Sequence, residues 1–192
     1  MALLSRQQLL EMGFAEVGDP VFISDKASFY GCSRIRLGQH VRIDDFAVLS
    51  AGAGGITIGS YIHIAVYSSL IGAGAIQIDD FANISSRVSV YSSSDDYSGE
   101  TMTNPMVPEA YKAVQHAPVL IGRHVIIGAG TVVLPGVTLH EGAAVGALSL
   151  VNRDCAAFGI YAGVPALWRK ARSMQLLTLE AQMQLARPAG PL

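Results

Sequence analysis

Fifteen aliphatic residues fall in register at intervals of six along this chain. Leu37, Ile43 and Leu49 open the series. It restarts at Ile58, Ile64, Leu70 and at Ile78, Ile84, Val90, then runs unbroken through Ile121, Ile127, Val133, Leu139, Val145 and Val151. The residue after each is usually small or acidic (Gly38, Asp44, Gly59, Ala65, Asp79, Gly122, Gly128, Gly146). The residue four further on is usually small or β-branched (Val41, Ala47, Ser68, Ala82, Val88, Val125, Thr131, Val137, Ala143, Ser149). Self-similarity at a short fixed period signals a β-solenoid. Six residues make one short flat strand plus a corner, and three such faces close one turn. Each aliphatic then points inward and stacks on its equivalents in the coils above and below. An ordinary sandwich of alternating strands predicts a period of two with turns about every 8–12 residues. That pattern is absent.

The repeat also locates its own interruptions. The first two triplets are spaced 21 and 20 residues apart, and the stretches 54–57 and 74–77 are expected to be bulged corners that absorb the excess. Ser5 and Gln8 frame a capping box for a short helix over 5–12, stopped at Gly13. Residues 21–36 are expected to form an irregular first coil. Residues 93–117, with Asp95-Asp96, Gly99 and Asn104-Pro105, break the period and are thrown out as a long loop. Long ordered loops in compact domains are usually functional. From Ala166 to about Ala186 the composition is helical, with Trp168, Arg169, Lys170 and Arg172 at its start. The organisation expected is an N-terminal helical segment (1–20), a β-helix domain (21–163) carrying the loop, and a C-terminal helix with a frayed tail (164–192).

Composition narrows the function. Thirteen basic and fifteen acidic residues leave a net charge of −2, with no surplus for a phosphate backbone, so nucleic acid is not an expected partner. No apolar run approaches the ~18 residues of a membrane span, and no signal peptide is visible, so a cytoplasmic protein is expected. Cys32 and Cys155 stand far apart without a Cys/His cluster, which argues against a disulfide framework or structural zinc. Only 15% of residues are charged, so the flat walls of the solenoid, rich in Ala, Ser, Val and Tyr, are unusual for a monomer. A closed homo-oligomer is the common solution.

The run from Ile121 through Ile127-Gly128-Ala129 to Leu134-Pro135-Gly136, followed by Val145-Gly146-Ala147 and Tyr161-Ala162-Gly163-Val164-Pro165-Ala166, resembles the hexapeptide-repeat acyltransferases. It is most similar to the galactoside, maltose and xenobiotic acetyltransferase branch, especially members that modify sugars of surface polysaccharide. The resemblance implies a left-handed parallel β-helix, a homotrimer, and acetyl-coenzyme A as acyl donor. It further implies transfer of an acetyl group to an amino or hydroxyl group of a small-molecule sugar acceptor, nucleotide- or lipid-linked. It places the coenzyme in a groove between subunits, against the backbone at Ala129 and Ala147. Asn152, Arg153 and Lys170 fall at the end that meets the phosphorylated ribose. Different classes remain open: a non-catalytic trimeric scaffold, or a γ-carbonic anhydrase-like zinc protein, which the scattered histidines 40, 63, 116, 124 and 140 do not favour.

The sequence departs from the family at its base. The family's histidine at the start of the loop falls on Asp95, with Asp96 one register away. The asparagine and aspartate that the galactoside branch uses on its acceptor fall on Ala65 and Ala73. Asp95 can replace the base or orient the nucleophile. A histidine, His63 or His116, can instead reach the site and pair with Asp95. Alternatively the two aspartates simply cap the turn. The missing histidine tilts the expectation toward an amino acceptor. His40, His124 and His140 fall at corners and read as solvent-facing.

Overall fold

The computed structural model describes residues 2–186. All fifteen periodic aliphatics are buried, none more than 4% exposed, and so are the ten small or β-branched residues at the corners. Short parallel strands stack into three walls. The first wall runs from Glu16–Val17 through Ile35–Leu37, Ile56–Ile58, Ile76–Ile78 and Val119–Ile121 to Thr138–Leu139. The second begins at Val21–Ile23 and contains His63–Ile64, Asn83–Ile84, Ile126–Ile127 and Ala144–Val145. The third contains Ser69–Gly72, Ser89–Tyr91, Val132–Val133 and Leu150–Val151. Register sets like on like: Ile64 lies beside Ile84, Ile84 beside Ile127, and Ile127 beside Val145. Gly128 is required by this stacking, because a Cβ there would sit 2.4 Å from the Ala147 backbone nitrogen of the next coil. Among the described residues, no helix is long and apolar enough to cross a membrane.

Bulky residues occupy left-handed backbone at the corners. His40, Tyr61, Phe81 and His124 have φ of 56–63°. Their rings stack at 4.6, 4.9 and 5.0 Å, matching the ~4.8 Å separation of neighbouring strands. Ring stacking from coil to coil offsets the local cost of that conformation.

Three elements differ from expectation. The first coil is regular, since Glu16–Val17, Val21–Ile23 and Ser28–Tyr30 all pair with the coil above. Residues Leu167–Ala171 form a strand antiparallel to Gly159–Ala162, where composition suggested helix. The backbone edge of the last coil needs a partner, and this hairpin supplies one. His124 is also not solvent-facing.

Helix α1 (Arg6–Glu11) carries the expected capping box. Helix α2 (Gln175–Leu185) buries no residue fully and is fastened by Glu180. That carboxylate binds Arg123 Nη2 and lies 2.6 Å from His124 Nε2. Arg172 Nη1 donates to the carbonyls of His124 and Gly142 at 2.8 and 2.9 Å. Burial pushes the Glu180 carboxyl up, but the His124 and Arg123 hydrogen bonds and charges outweigh it and hold it below the usual range. A depressed carboxyl stabilises the fold above its unfolded value of ~4.3 and loses that contribution as pH falls through the folded value. Acidification through that window should therefore loosen α2. Glu180→Gln should do so at neutral pH, removing about 1.5–3 kcal/mol of charge-assisted bonding. Amide exchange across 175–185 should then run roughly tenfold to a hundredfold faster, with the coils unaffected.

Candidate active site

The long loop leaves the third wall after Ser89–Tyr91 and is closed at its root by a two-stranded antiparallel ladder. Ser93 pairs with His116, and Ser94 with Gln115. The Ser93 hydroxyl oxygen accepts the Ala73 N–H at 2.7 Å and lies 2.8 Å from His116 Nδ1. Ala117 N–H donates to the Ser92 carbonyl at 3.1 Å. Both ends of the excursion are thereby fixed against each other and against the coil beneath.

The structure separates the two aspartates. Asp96 is consumed by the loop: Oδ1 accepts the backbone N–H and hydroxyl of Ser98 at 2.8 and 2.6 Å. Its Oδ2 accepts both groups of Thr101 at 2.9 Å. These hydrogen bonds hold its carboxyl far below the usual range. Asp96 is the turn cap. The Asp95 carboxylate has no hydrogen-bond or ionic partner among the described residues. It lies on the boundary of two clefts. One, of about 370 Å³, is walled by Tyr91, Ser93, Ser94, Tyr97, Val132, Leu134 and Pro135. The other, of about 640 Å³, is walled by the loop itself from Asp96 to Asn104.

His63 does not meet Asp95 within the chain. It projects from the second wall, where Nε2 lies 2.8 Å from Asp44 Oδ2 while Arg42 Nε donates to Asp44 Oδ1 at 2.8 Å. Burial raises the Asp44 carboxyl, but Arg42 and His63 outweigh this and keep it ionised at lower pH. The ring thus presents Nε2 to a carboxylate and turns Nδ1 outward.

Ala129 and Ala147 are exposed at the corner between the second and third walls, stacked in one column by the Leu148 N–H to Ala129 carbonyl bond at 2.8 Å. Asn152 and Arg153 are exposed at the next corner, after Leu150–Val151. Lys170 is exposed on the closing strand, opposite Ile160. The Ala129–Ala147 column and Asp95 occupy opposite edges of the third wall. Ser85 and Ser86 escaped the sequence reading. They sit in the same column one coil below Ala129, joined to it by Ser85 N–H to Ile127 O and Gly130 N–H to Ser86 O, both 3.0 Å. Neither hydroxyl is hydrogen-bonded among the described residues. The signal was available in the register, where a Ser-Ser replaces the Gly-Ala of the later coils.

The coil is shared with known proteins. A maltose O-acetyltransferase of Clostridium difficile 630 has the same fold, with a TM-score of 0.60 at 20% identity over 88% of this chain and 75% of that one. The chain is 60% identical over 181 residues, 94% of each protein, to the dTDP-4-amino-4,6-dideoxy-D-glucose acyltransferase of Escherichia coli. It therefore belongs to the hexapeptide-repeat acyltransferases and is an acyl-transferring enzyme. AntD, an N-acyltransferase from Bacillus cereus, superposes with a TM-score of 0.93 at 43% identity over 97% of this chain and 100% of that one. AntD has been solved with dTDP and 3-hydroxybutyryl-CoA, and with dTDP-4-amino-4,6-dideoxyglucose and coenzyme A. Its solved variants replace an aspartate or a serine. No family model matches the chain.

Proposed function

We propose that this enzyme transfers an acetyl or other short acyl group from acyl-coenzyme A to the amino group of a dTDP-linked 4-amino-4,6-dideoxyglucose, for use in surface polysaccharide. The observation that carries the reading is the Asp95 carboxylate, uncommitted among the described residues and set between two clefts at the root of the loop. An amine attacks a thioester without prior deprotonation of an alcohol, so the site needs a group that orients the nitrogen and relieves its charge. Asp95 accepts an N–H of the acceptor amine. The nitrogen forms a bond to the thioester carbonyl carbon, the carbon–sulfur bond breaks, and one nitrogen proton is lost as the departing thiolate gains one. A hydroxyl acceptor would need a stronger base than a free carboxylate. AntD binds the amino sugar nucleotide and coenzyme A, and the variants solved for it alter an aspartate and a serine. Asp95 and the Ser85–Ser86 pair are the aspartate and serines to which this reading gives the corresponding part.

Ala129 and Ala147 offer backbone groups to the pantetheine arm, and Asn152, Arg153 and Lys170 serve its phosphorylated end. Within one chain these lie across the third wall from Asp95, so the working groove joins the Asp95 edge of one subunit to the Ala129–Ala147 edge of the next in a homotrimer. Exposed Phe46, Tyr67 and Leu148 on that corner favour contact with another copy. On this reading the reaction is cytoplasmic.

The test is free-thiol release from acetyl-coenzyme A with dTDP-4-amino-4,6-dideoxyglucose or with the matching 4-hydroxy sugar. Turnover of the amine alone is expected. Equal turnover of the hydroxyl compound, or none of either, would overturn the reading.

A further inference from the structure

We infer that His116 is a positioning residue for Asp95, acting through the hydroxyl of Ser93. The inference rests on the assignment of Asp95 above. Asp95 has no side-chain partner among the described residues, so its direction is inherited from the backbone that carries it. That backbone is short: Asp95 directly follows the two-residue strand Ser93–Ser94, and Ser93 and Asp95 wall the same cleft. Whatever fixes Ser93 also aims Asp95.

Ser93 is fixed from two sides. From below, the Ala73 N–H donates to its Oγ at 2.7 Å. With that lone pair occupied, the hydroxyl proton is free to point at His116 Nδ1, 2.8 Å away. The Ser93 hydroxyl and Nδ1 are thereby hydrogen-bonded, with Nδ1 as the accepting atom when Ser93 donates. The returning end of the loop therefore grips the outgoing end through a side chain as well as through the ladder. The remaining bonds of the excursion, such as Met102 N–H to the Tyr111 carbonyl at 2.9 Å and the Asp96 cap, hold the loop to itself. They do not hold it to the solenoid. The chain positions 73, 93 and 116 thus form one line of hydrogen bonds, from the coil beneath, through the first residue of the loop, to its last turn. His116 is exposed, so this contact contributes little to a core. Its consequence is angular: a misplacement of about 1 Å at a reacting group can cost a hundredfold in rate.

The experiment compares His116→Ala, His116→Asn, Ser93→Ala, the His116→Ala/Ser93→Ala double variant and Asp95→Asn, assayed with acetyl-coenzyme A and dTDP-4-amino-4,6-dideoxyglucose. Asparagine keeps an acceptor oxygen near the place of Nδ1. His116→Ala should lower kcat roughly tenfold to a hundredfold, with the KM for acetyl-coenzyme A and the melting temperature unchanged. His116→Asn should recover to within about threefold of the parent, because the Ser93 proton again has an acceptor. The double variant should be no worse than the poorer single one, as expected of residues that act as a unit. The inference is overturned if Asp95→Asn is crippled while His116→Ala is unaffected, or if His116→Asn is as impaired as His116→Ala. Should Asp95→Asn itself be indifferent, the assignment of Asp95 fails instead.

Discussion

Replacing Asp95 by asparagine should lower kcat/KM for the amino sugar nucleotide by about a hundredfold to ten-thousandfold, the range typical of a group that handles a proton in the transition state. Coenzyme A affinity should not change. Asparagine preserves the size of the side chain and leaves the loop's own bonds untouched, so the loss isolates charge from architecture. Asp96→Asn is the contrasting case. That carboxylate accepts four hydrogen bonds from Ser98 and Thr101, and an amide cannot accept all of them. It should accelerate amide exchange over 96–101, whereas Asp95→Asn should leave that exchange alone. His63→Asn belongs beside them, since the Asp44–His63 pair is built as an oriented base. The expected loss there is below about tenfold. A crippled His63→Asn with a nearly normal Asp95→Asn would move the proton-handling role to the histidine.

The coils were legible because their determinant is local and repetitive. Ile64, Ile84, Ile127 and Val145 stand in one column, and each needs only its neighbours to be aliphatic. The C-terminal turn was not legible. Trp168, Arg169 and Lys170 suit a helix as well as a strand, and the deciding factor is the open backbone edge of Gly159–Ala162, which no local window contains. His124 was misjudged for the same reason. Its corner is exposed in a bare solenoid and is covered only because Glu180, 56 residues further on, folds back upon it.

The site was legible to the level of residue type and register. The resemblance to the family, whose loop histidine falls on Asp95, made that residue a candidate, yet it could not separate Asp95 from Asp96, because adjacent carboxylates differ only in which donors surround them. Ser98 and Thr101 close on Asp96 and leave the Asp95 carboxylate uncommitted among the described residues. Within the chain His63 meets Asp44, nineteen residues earlier and one coil down, a partner that is as small and acidic as any other corner residue and so was not legible in the sequence.

Assayed with acetyl-coenzyme A well below the KM of the Ala147→Trp variant, mixed trimers should be more active than either variant alone. Ala147→Trp leaves an exposed corner able to carry bulk but fills the proposed pantetheine path, so coenzyme A affinity should fall at least about tenfold, or ~1.4 kcal/mol. Asp95→Asn leaves that path open and removes the carboxylate. If one groove draws Asp95 from one subunit and Ala147 from the next, any trimer containing both variants has one interface at which an intact aspartate faces an intact alanine. Random co-assembly makes about three-quarters of the trimers mixed, each with one working groove of three, so activity should return to about a quarter of the parent enzyme. The measurement is thiol release by co-expressed, doubly tagged assemblies, set against each variant alone. Were both residues drawn from the same subunit, every groove in a mixed trimer would carry one lesion or the other, and activity would stay at the mean of the two variants. That result would place the coenzyme and Asp95 on a single chain, and the opposite edges of the third wall would no longer require a second copy to bring them together.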